Sequence, residues 1–344
     1  MENNKTGLKV SDIGEFALID RIQKIVEKSS HPGLLVHGIG DDAAVFSSPG
    51  PGFEILVTCD TMAEGRHYLR QYISSFEIGR RAMVMNISDI GAMGGLPLYA
   101  LVTLGLTSSE AVEDIEEIYR GFIKELEPFG AVIIGGNISM IEGRPFIDIT
   151  LIGKVDKDNK VLRTGARPGD AVMVTGYPGK SAAGYWVVSN SIPGWEQYRT
   201  LLDAYIRPQH RAREGNALAM SGKITSMIDI SDGLSGDLVH ICEKSAVGVV
   251  IKEEMLPSCK ELLKLSRITK IEKEDFILGP SDDYELLFTC APEDIGTVKS
   301  ILSGLNRPVT HIGDIVHQEH GMTIITKDSG QKALLKKGWD HFRG

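Results

Sequence analysis

A short segment near the N-terminus places two adjacent carboxylates directly after two glycines. Residues 37–45 read HGIGDDAAV, so Asp41 and Asp42 follow a loop that glycine allows to bend sharply. Such a loop can present hard oxygen ligands to Mg²⁺. Taken alone, the segment is equally well explained as an ordinary acidic turn, so a metal site is indicated only if other carboxylates join it.

Two further carboxylates belong to apolar segments. Residues 57–61 read VTCDT, a predicted buried strand that ends in a hydroxyl and the carboxylate of Asp60. Strand ends often carry ligands in α/β proteins, although an ordinary polar strand end is an equal alternative. Asp89 lies in NISDIGAMGG, residues 86–95, a predicted helix of apolar and small residues. Because a buried carboxylate is costly unless it is paired or metal-bound, a functional role for Asp89 is favoured.

Two glycine-containing turns complete this set of motifs. Residues 133–139 read IIGGNIS, a strand predicted to run into a Gly-Gly turn whose N–H groups can approach phosphate. Residues 227–235 read MIDISDGLS and bring Asp229 and Asp232 to a predicted strand-to-helix junction. Five acidic or glycine turns at strand and helix ends together predict a multi-metal polyphosphate site, of the kind that binds ATP as its Mg²⁺ complex.

The common nucleotide-binding signatures do not apply to this chain. Residues 179–181 read GKS, like the end of a P-loop, but Val174 stands where the Walker pattern requires glycine. The paired HRD and DFG motifs of protein kinases do not occur in the sequence. The nucleotide site is therefore predicted to be of another kind.

Length and composition predict two globular domains. The chain has 344 residues, of which 42% are apolar and 24% charged. A formal charge of −9 argues against a nucleic-acid partner, since such partners normally require a basic patch. The four cysteines lack C-x-x-C spacing and are interpreted as reduced. A start without signal-peptide character, and no apolar stretch of about 18 residues, predict a cytoplasmic protein without a membrane partner.

Helices and strands alternate along the chain, so the predicted fold class is α/β or α+β. In the first half we predict a helix from a capping box at Ser74 and Glu77 toward Met93, and an amphipathic helix at 112–126 capped by Ser108 or Ser109. The strands predicted in this half lie at 54–59, 132–134 and 146–155.

The domain boundary is predicted in a charged, turn-like stretch. Residues 156–160 and the turn Pro168-Gly169-Asp170 separate an N-terminal domain, residues 1–155, from a C-terminal domain, residues 156–344. Predicted elements of the second domain are strands at 171–175, 224–230, 247–251 and 284–290, a helix from about 181 and a helix at 234–244.

Seven segments in order resemble the thiamine-monophosphate kinase family: GDDAA, TCDTMAEGRHY, NISDIGAMG, TGARPGD, IDISDGL, DDYELLFT and GWDHF. They span nearly the whole chain. The resemblance implies the two-domain fold of aminoimidazole ribonucleotide synthetase, with an N-terminal mixed-sheet domain for dimerisation and a C-terminal α/β domain that completes the active site. It also implies a homodimer that uses several Mg²⁺ ions to transfer the ATP γ-phosphoryl directly to thiamine monophosphate, giving thiamine diphosphate and ADP.

By motif position, the resemblance implies three groups of site residues. The metal shell comprises Asp41, Thr58, Cys59 through its carbonyl, Asp60, Asp89, Asp229 and Asp232; Asp89 and Asp232 are also expected to be catalytic. The nucleotide contacts comprise Gly136, Asn137, Arg163 and Ser231. The acceptor contacts comprise His67, Asp283 and Trp339, whose ring would face the cationic thiazolium. Without the resemblance, His67 is explained equally well as a loop cap, Trp339 as a core residue and Arg163 as a surface charge.

Alternatives stay open within and outside the superfamily. A related ATP-using enzyme could act on another small acceptor; aminoimidazole ribonucleotide synthetase fits the fold, although the GWDHF segment favours the thiamine enzyme. Selenophosphate synthetase and the hydrogenase-maturation relative depend on cysteines near one terminus, which this chain lacks. A catalytically silent nucleotide-binding regulator is the alternative from another class, and costly clustered carboxylates argue against it.

Asn137 is a departure from the family pattern, which usually reads Gly-Gly-Asp at residues 135–137. An amide oxygen binds Mg²⁺ more weakly than a carboxylate. We therefore predict that Asn137→Asp retains or increases turnover, measured as thiamine diphosphate formed at saturating ATP and Mg²⁺ beside the wild-type chain. A large loss of turnover would contradict the placement of Asn137 at the metal site.

Overall fold

The computed structural model describes residues 13, 17–19, 35–37, 41–48, 51–192 and 194–339. In this part of the chain, two mixed β-sheets carry helices. The predicted α/β class is confirmed. The boundary between residues 155 and 156 stays a prediction.

The N-terminal sheet consists of β1 (Leu35–His37), β2 (Ala44–Ser47), β3 (Phe53–Ala63), β4 (Leu96–Leu106), β5 (Val132–Met140) and β6 (Phe146–Asp156). Their order is β1-β2-β3-β6-β4-β5, and only β4 and β5 run parallel among the described pairs. Alternate residues of β6 point to opposite sides. We call the side of buried Ile149 and Leu151 the inner face, and the side of half-exposed Asp148 and Thr150 the outer face.

Two helices cover the inner face. α1 (Ser75–Ala92) contacts β3 and β6, and α2 (Val112–Leu126) packs on α1. The two helices approach closely because glycines face the contact. A Cβ added at Gly79 would lie 2.0 Å from the carbonyl oxygen of Ile118, and one at Gly121 would lie 2.2 Å from that of Phe76. Main-chain contact thus fixes α1 against α2.

The C-terminal sheet has the order β13-β12-β9-β11-β7-β10-β8, with only β12 and β9 parallel among the described pairs. Its strands are β7 (Ala171–Thr175), β8 (Ile224–Asp229), β9 (Val247–Lys252), β10 (Leu286–Cys290), β11 (Val309–His317), β12 (Met322–Ile325) and β13 (Gln331–Ala333). The helices are α3 (Lys180–Ser189), α4 (Arg199–Ile206), α5 (Ala212–Met220), α6 (Leu234–Ser245), α7 (Lys260–Thr269), α8 (Lys273–Leu278) and α9 (Ile295–Gly304).

The cores of the two halves meet along α1. Tyr205 of α4 and Ala212 of α5 belong to the core that fills the inner face of the N-terminal sheet. A Cβ at Gly91 of α1 would lie 2.6 Å from the Cα of Ala212, and one at Gly215 would lie 2.1 Å from the oxygen of Gly91. The C-terminal half of α1 therefore has a fixed position against the second half of the chain.

Several predicted elements are confirmed. The structure places β7 at the predicted residues 171–175 and α2 at the predicted residues 112–126. α1 begins after Ser74, whose hydroxyl accepts a hydrogen bond from the N–H of Glu77 at 3.4 Å.

The predicted serine cap of α2 is wrong. α2 begins after Ala111 without a side-chain cap, because Ser109 pairs with the hydroxyl of Thr107 at 2.9 Å in the preceding turn.

The Gly-Gly turn predicted after residue 134 is also wrong. Gly135 and Gly136 lie inside β5, which continues to Met140 because β4 offers a parallel partner as far as Leu106. The register shifts where Gly135 pairs with Leu101. Gly136 has a φ of 154°, and a Cβ there would lie 1.8 Å from the oxygen of Val102. The glycines thus permit close strand pairing.

No helix within the described residues is both long and apolar enough to cross a lipid bilayer.

The α1–α2 contact predicts a large difference between two glycine substitutions. Gly79→Ala should lower the free energy of unfolding by roughly 1–3 kcal/mol, because the methyl group meets the Ile118 carbonyl. Gly296→Ala in α9 is the matched control, since its Cβ would meet no atom within 4 Å and alanine favours helix. Urea unfolding of both variants measures the difference; equal stabilities would contradict the contact.

Candidate active site: a cluster of carboxylates between the two sheets

Carboxylates from distant motifs converge where the two sheets meet. Asp89 lies near the C-terminal end of α1, Asp229 ends β8, and Asp42 precedes β2. One carboxylate oxygen from each of the three lies within 4.8 Å of the others. The motifs of the two predicted domains therefore contribute to a single site.

Asp229 has an oxygen that lacks a hydrogen-bond donor among the described residues. The residue is 1% exposed, and its Oδ2 accepts from Ser88 Oγ at 2.5 Å, whereas the buried Oδ1 has no partner. Burial is the main cause that raises the pKa of Asp229 well above its ordinary value, and the charge of Asp42 adds to it. Such an oxygen is unfavourable unless a cation or a proton binds there.

Asp89 joins the N-terminal sheet to this cluster. Its Oδ2 accepts a hydrogen bond from Thr58 Oγ1 at 2.5 Å, and it is also hydrogen-bonded to Asp60. Burial, followed by the charges of Asp60 and Asp229, raises the pKa of Asp89 well above its ordinary value. Two carboxyl groups share a hydrogen bond only when one is protonated, so this spacing accommodates either protons or a cation.

Asp41 and Asp60 extend the cluster. Burial and then the charge of Asp42 raise the pKa of Asp41 to about 7. The pKa of Asp60 rises to about 6, mainly through burial, with contributions from the charges of Asp148 and Asp42. Both values lie near neutrality, so the cluster can exchange protons for a metal ion under ordinary conditions.

The donor set fits a hard divalent cation. Every group that faces the cluster is a carboxylate or hydroxyl oxygen, as Mg²⁺ prefers, and the repulsion between Asp89 and Asp229 would fall once a cation bound. The Oδ1 of Asp229 would also acquire a partner. The residues present therefore fit the metal that the sequence predicts.

The turn from β8 to α6 carries Ser231 and Asp232 at the edge of the cluster. Asp237 in the first turn of α6 fixes it, because its Oδ2 accepts the N–H groups of Asp232 at 3.2 Å and Gly233 at 3.1 Å. Burial, then the charges of Asp232 and Asp229, raise the pKa of Asp237 well above its ordinary value.

Arg163 is an ion-pair partner of the cluster and not an isolated surface charge. Its Nε donates to Asp42 Oδ2 at 3.1 Å, and its Nη2 donates to Asp42 Oδ1 at 2.7 Å. The Asp42 carboxylate is thus occupied by a guanidinium.

Three predicted residues lie in exposed positions of the N-terminal sheet. The thiol of Cys59 donates to Asp148 Oδ1 at 3.4 Å on the outer face, so any part in the cluster would involve its main chain. Gly136 and Asn137 are exposed on β5, where the Asn137 amide donates to Ser139 Oγ at 3.1 Å. These two residues are not in contact with the carboxylate cluster.

The three predicted acceptor contacts surround the β8–α6 turn and its neighbours. His67 Nδ1 accepts the N–H of Ala63 at 3.0 Å, which closes a loop after β3. The N–H of Trp339 donates to the carbonyl of Asp232 at 3.0 Å, and the Arg66 guanidinium lies 4.3 Å from the centre of a Trp339 ring.

Asp283 is buried at the start of α3. Its carboxylate accepts the N–H groups of Gly179 at 2.6 Å and Ser181 at 3.0 Å, so it holds the helix terminus. The neighbouring Ser281 donates its N–H to the Asp232 carbonyl at 3.4 Å, which links this segment to Trp339 through one oxygen.

Sequence reasoning missed several contributors to the site. Asp42 was visible beside Asp41, but nothing in the sequence identifies its partner. Asp148 had a weak signal, as a carboxylate in the alternating pattern of β6. Ser88 and Asp237 are ordinary helix residues in sequence, and only their tertiary contacts reveal them.

Comparison with known proteins is consistent with this geometry. Residues 40–155 match the AIR synthase related protein, N-terminal domain, and residues 167–325 match the corresponding C-terminal domain. Thiamine-monophosphate kinase of Bacillus subtilis is 33% identical over 94% of this chain and 99% of its own length. Thiamine-monophosphate kinase of Aquifex aeolicus is 32% identical over 97% of this chain and 100% of its own.

Solved structures agree with the sequence relatives. The structure described as AaThiL complexed with AMPPCP and TMP aligns with a TM-score of 0.84 and 31% identity, covering 98% of this chain and all of that one. Since relatives above 30% identity cover nearly the whole chain, this protein belongs to the thiamine-monophosphate kinase family.

Proposed function

We propose that this chain transfers the γ-phosphoryl group of ATP to thiamine monophosphate, giving thiamine diphosphate and ADP. The observation that carries the proposal is the enclosed carboxylate cluster with the unpartnered Oδ1 of Asp229, which suits a metal–polyphosphate complex. Family membership supports the substrates, because the aligned relative was solved with AMPPCP, an analogue of ATP, and TMP.

Mg²⁺ is the proposed metal. Asp41, Asp60, Asp89 and Asp229 would hold it, with Thr58, Asp232 and the carbonyl of Cys59 at the edge of the same shell. When bound, Mg²⁺ would neutralise phosphate oxygens and so stabilise the charge of the transition state. Asp89 and Asp232 are the proposed catalytic residues because they lie on elements from the two halves of the chain.

The transfer needs no enzyme nucleophile in this proposal. An oxygen of the acceptor phosphate, ionised near neutral pH, forms the new bond to the γ-phosphorus. The bond from that phosphorus to the β–γ bridging oxygen breaks, and ADP leaves with the electron pair. The thiol of Cys59 is a poor nucleophile, because burial raises its pKa and its neighbour Asp148 is acidic.

The remaining residues are proposed to orient the two substrates. Gly136, Asn137, Arg163 and Ser231 would contact the nucleotide. Trp339 would stack on the thiazolium, since its ring already lies beside a planar cation, and His67 would close the same pocket. Asp283 would act through the turn that it fixes at the start of α3.

A homodimer through the N-terminal domain is the proposed assembly. Apolar side chains are exposed on β4 and β5, and they include Tyr99, Leu101, Ile134, Ile138 and Met140. β5 is also the last strand of its sheet among the described residues, and an apolar edge strand normally requires a cover. A second copy of the chain would bury this surface. We also propose domains at 1–155 and 156–344, and a cytoplasmic location.

Two alternative functions remain distinguishable by assay. A related ATP-using enzyme would consume ATP only with another acceptor, and a silent regulator would bind ATP without turnover. The enclosed carboxylates favour catalysis over silent binding, because an idle site gains nothing from clustered buried charge.

Asp89→Asn tests the reaction and the site together. We expect wild type with Mg²⁺ and ATP to convert thiamine monophosphate to thiamine diphosphate, followed by chromatography. The variant should lose about 100-fold or more of kcat, because a charged ligand is removed while the shape is kept. Asp158→Asn, an exposed carboxylate, is the control and should retain full rate. Full activity of Asp89→Asn would exclude the proposed site.

Ile138→Asp tests the assembly. Ile138 is 64% exposed on β5, and a charge there should dissociate the dimer into monomers in light-scattering chromatography. Ile268→Asp on α7 is the matched control, because Ile268 is 58% exposed outside the proposed interface and should leave the dimer intact. A monomeric wild type, or a dimeric Ile138→Asp variant, would argue against this interface.

A further inference from the structure

Arg163 is held at three separate points. Its main-chain N–H donates to both carboxylate oxygens of Asp41, each at 3.3 Å. Its carbonyl accepts from Ser245 Oγ at 3.3 Å. Its guanidinium lies on Asp42. A long side chain that is fixed at both main-chain ends and at its charged tip loses little further entropy when it meets a ligand.

The contact between Arg163 and Asp42 is a two-point fork. Nε lies 3.1 Å from Oδ2 and Nη2 lies 2.7 Å from Oδ1, so the guanidinium and carboxylate planes are matched. The Asp42 side chain is completely buried, and that of Arg163 is 20% exposed. A buried carboxylate with both oxygens on one guanidinium is already neutralised and hydrogen-bonded, unlike Asp229 with its unpartnered Oδ1.

This fork distinguishes Asp42 from the other carboxylates of the cluster. An Asp42 oxygen lies within 4.8 Å of oxygens from Asp89 and Asp229, which by itself would suggest a third metal ligand. Its oxygens are, however, committed to Arg163. A guanidinium has five N–H donors, of which the fork uses two, so three others can face an anion at the edge of the cluster.

We propose that Asp42 is a positioning residue that aims the Arg163 guanidinium at the phosphates of a nucleoside triphosphate and does not bind metal. This inference rests on the proposed ATP-using function. It assigns different tasks to two adjacent carboxylates: Asp41 faces the metal and the Arg163 main chain, whereas Asp42 acts only through the Arg163 side chain.

A double-mutant cycle on nucleotide binding tests the proposal without turnover. Calorimetric titration with AMPPCP and Mg²⁺ would be made on wild type, Asp42→Asn, Arg163→Ala and the double variant. We expect Asp42→Asn to weaken binding by about tenfold or more, in line with loss of a charge-assisted hydrogen bond. In the Arg163→Ala background, the same change should weaken binding by less than about twofold, because its target is gone.

Metal binding is the second readout. Mg²⁺ alone, titrated against the thermal midpoint, should give Asp42→Asn a half-saturation within about twofold of wild type, whereas Asp89→Asn should need about tenfold more Mg²⁺. Additive effects in the cycle, or an Asp42→Asn half-saturation that rises as far as that of Asp89→Asn, would overturn the proposal and make Asp42 a metal ligand.

Arg163→Lys keeps the test decisive if Asp42→Asn fails to fold by circular dichroism. Lysine retains the charge but cannot form the fork, so AMPPCP binding should still weaken by about fivefold or more; unchanged binding would overturn the proposal. Failure of wild type to bind AMPPCP would instead refute the proposed function itself, before any variant is compared.

Discussion

Repulsion between carboxylates enclosed at the meeting of two sheets is the constraint on which the rest of this structure depends. Asp42, Asp89 and Asp229 approach closely enough that all three cannot remain charged without a counter-charge. The fold provides one such charge itself, through Arg163, and leaves an oxygen of Asp229 without a partner. That remaining deficit makes the site suitable for a hard cation.

Two consecutive residues of α1 connect the halves of the chain. Ser88 donates to Asp229 at the end of β8, and Asp89 accepts from Thr58 on β3. Small residues make these bonds possible, since Gly79 and Gly91 allow the backbone of α1 to touch Ile118 and Ala212. A shift of α1 by a fraction of its diameter would break both hydrogen bonds. The glycine content of the helix therefore serves the geometry of the active site as well as packing.

The described residues also separate two kinds of acidic function that look alike in a sequence. Asp237 and Asp283 are buried carboxylates whose oxygens accept main-chain N–H groups, so they hold turns in place. Asp89 and Asp229 face one another and lack enough donors. Hydrogen-bond supply, and not burial, distinguishes a structural carboxylate from a candidate ligand.

The sequence by itself determined most of the elements and the chemistry of the site. Apolar periodicity defined α2, the strand pattern defined β7, and oxygen-bearing residues at motif ends indicated a metal–phosphate site in a chain with the family's ordered segments. These features are local, so the order of residues suffices to reveal them.

Tertiary structure alone decided which groups meet. The pairing of Asp42 with Arg163 spans 121 residues, and that of Ser88 with Asp229 spans 141. Gly135 and Gly136 form a strand and not a turn because β4 supplies hydrogen-bond partners that are absent from their own segment. Hydrogen bonds and charge pairs between distant segments depend on the packing of helices and sheets, which no local pattern encodes.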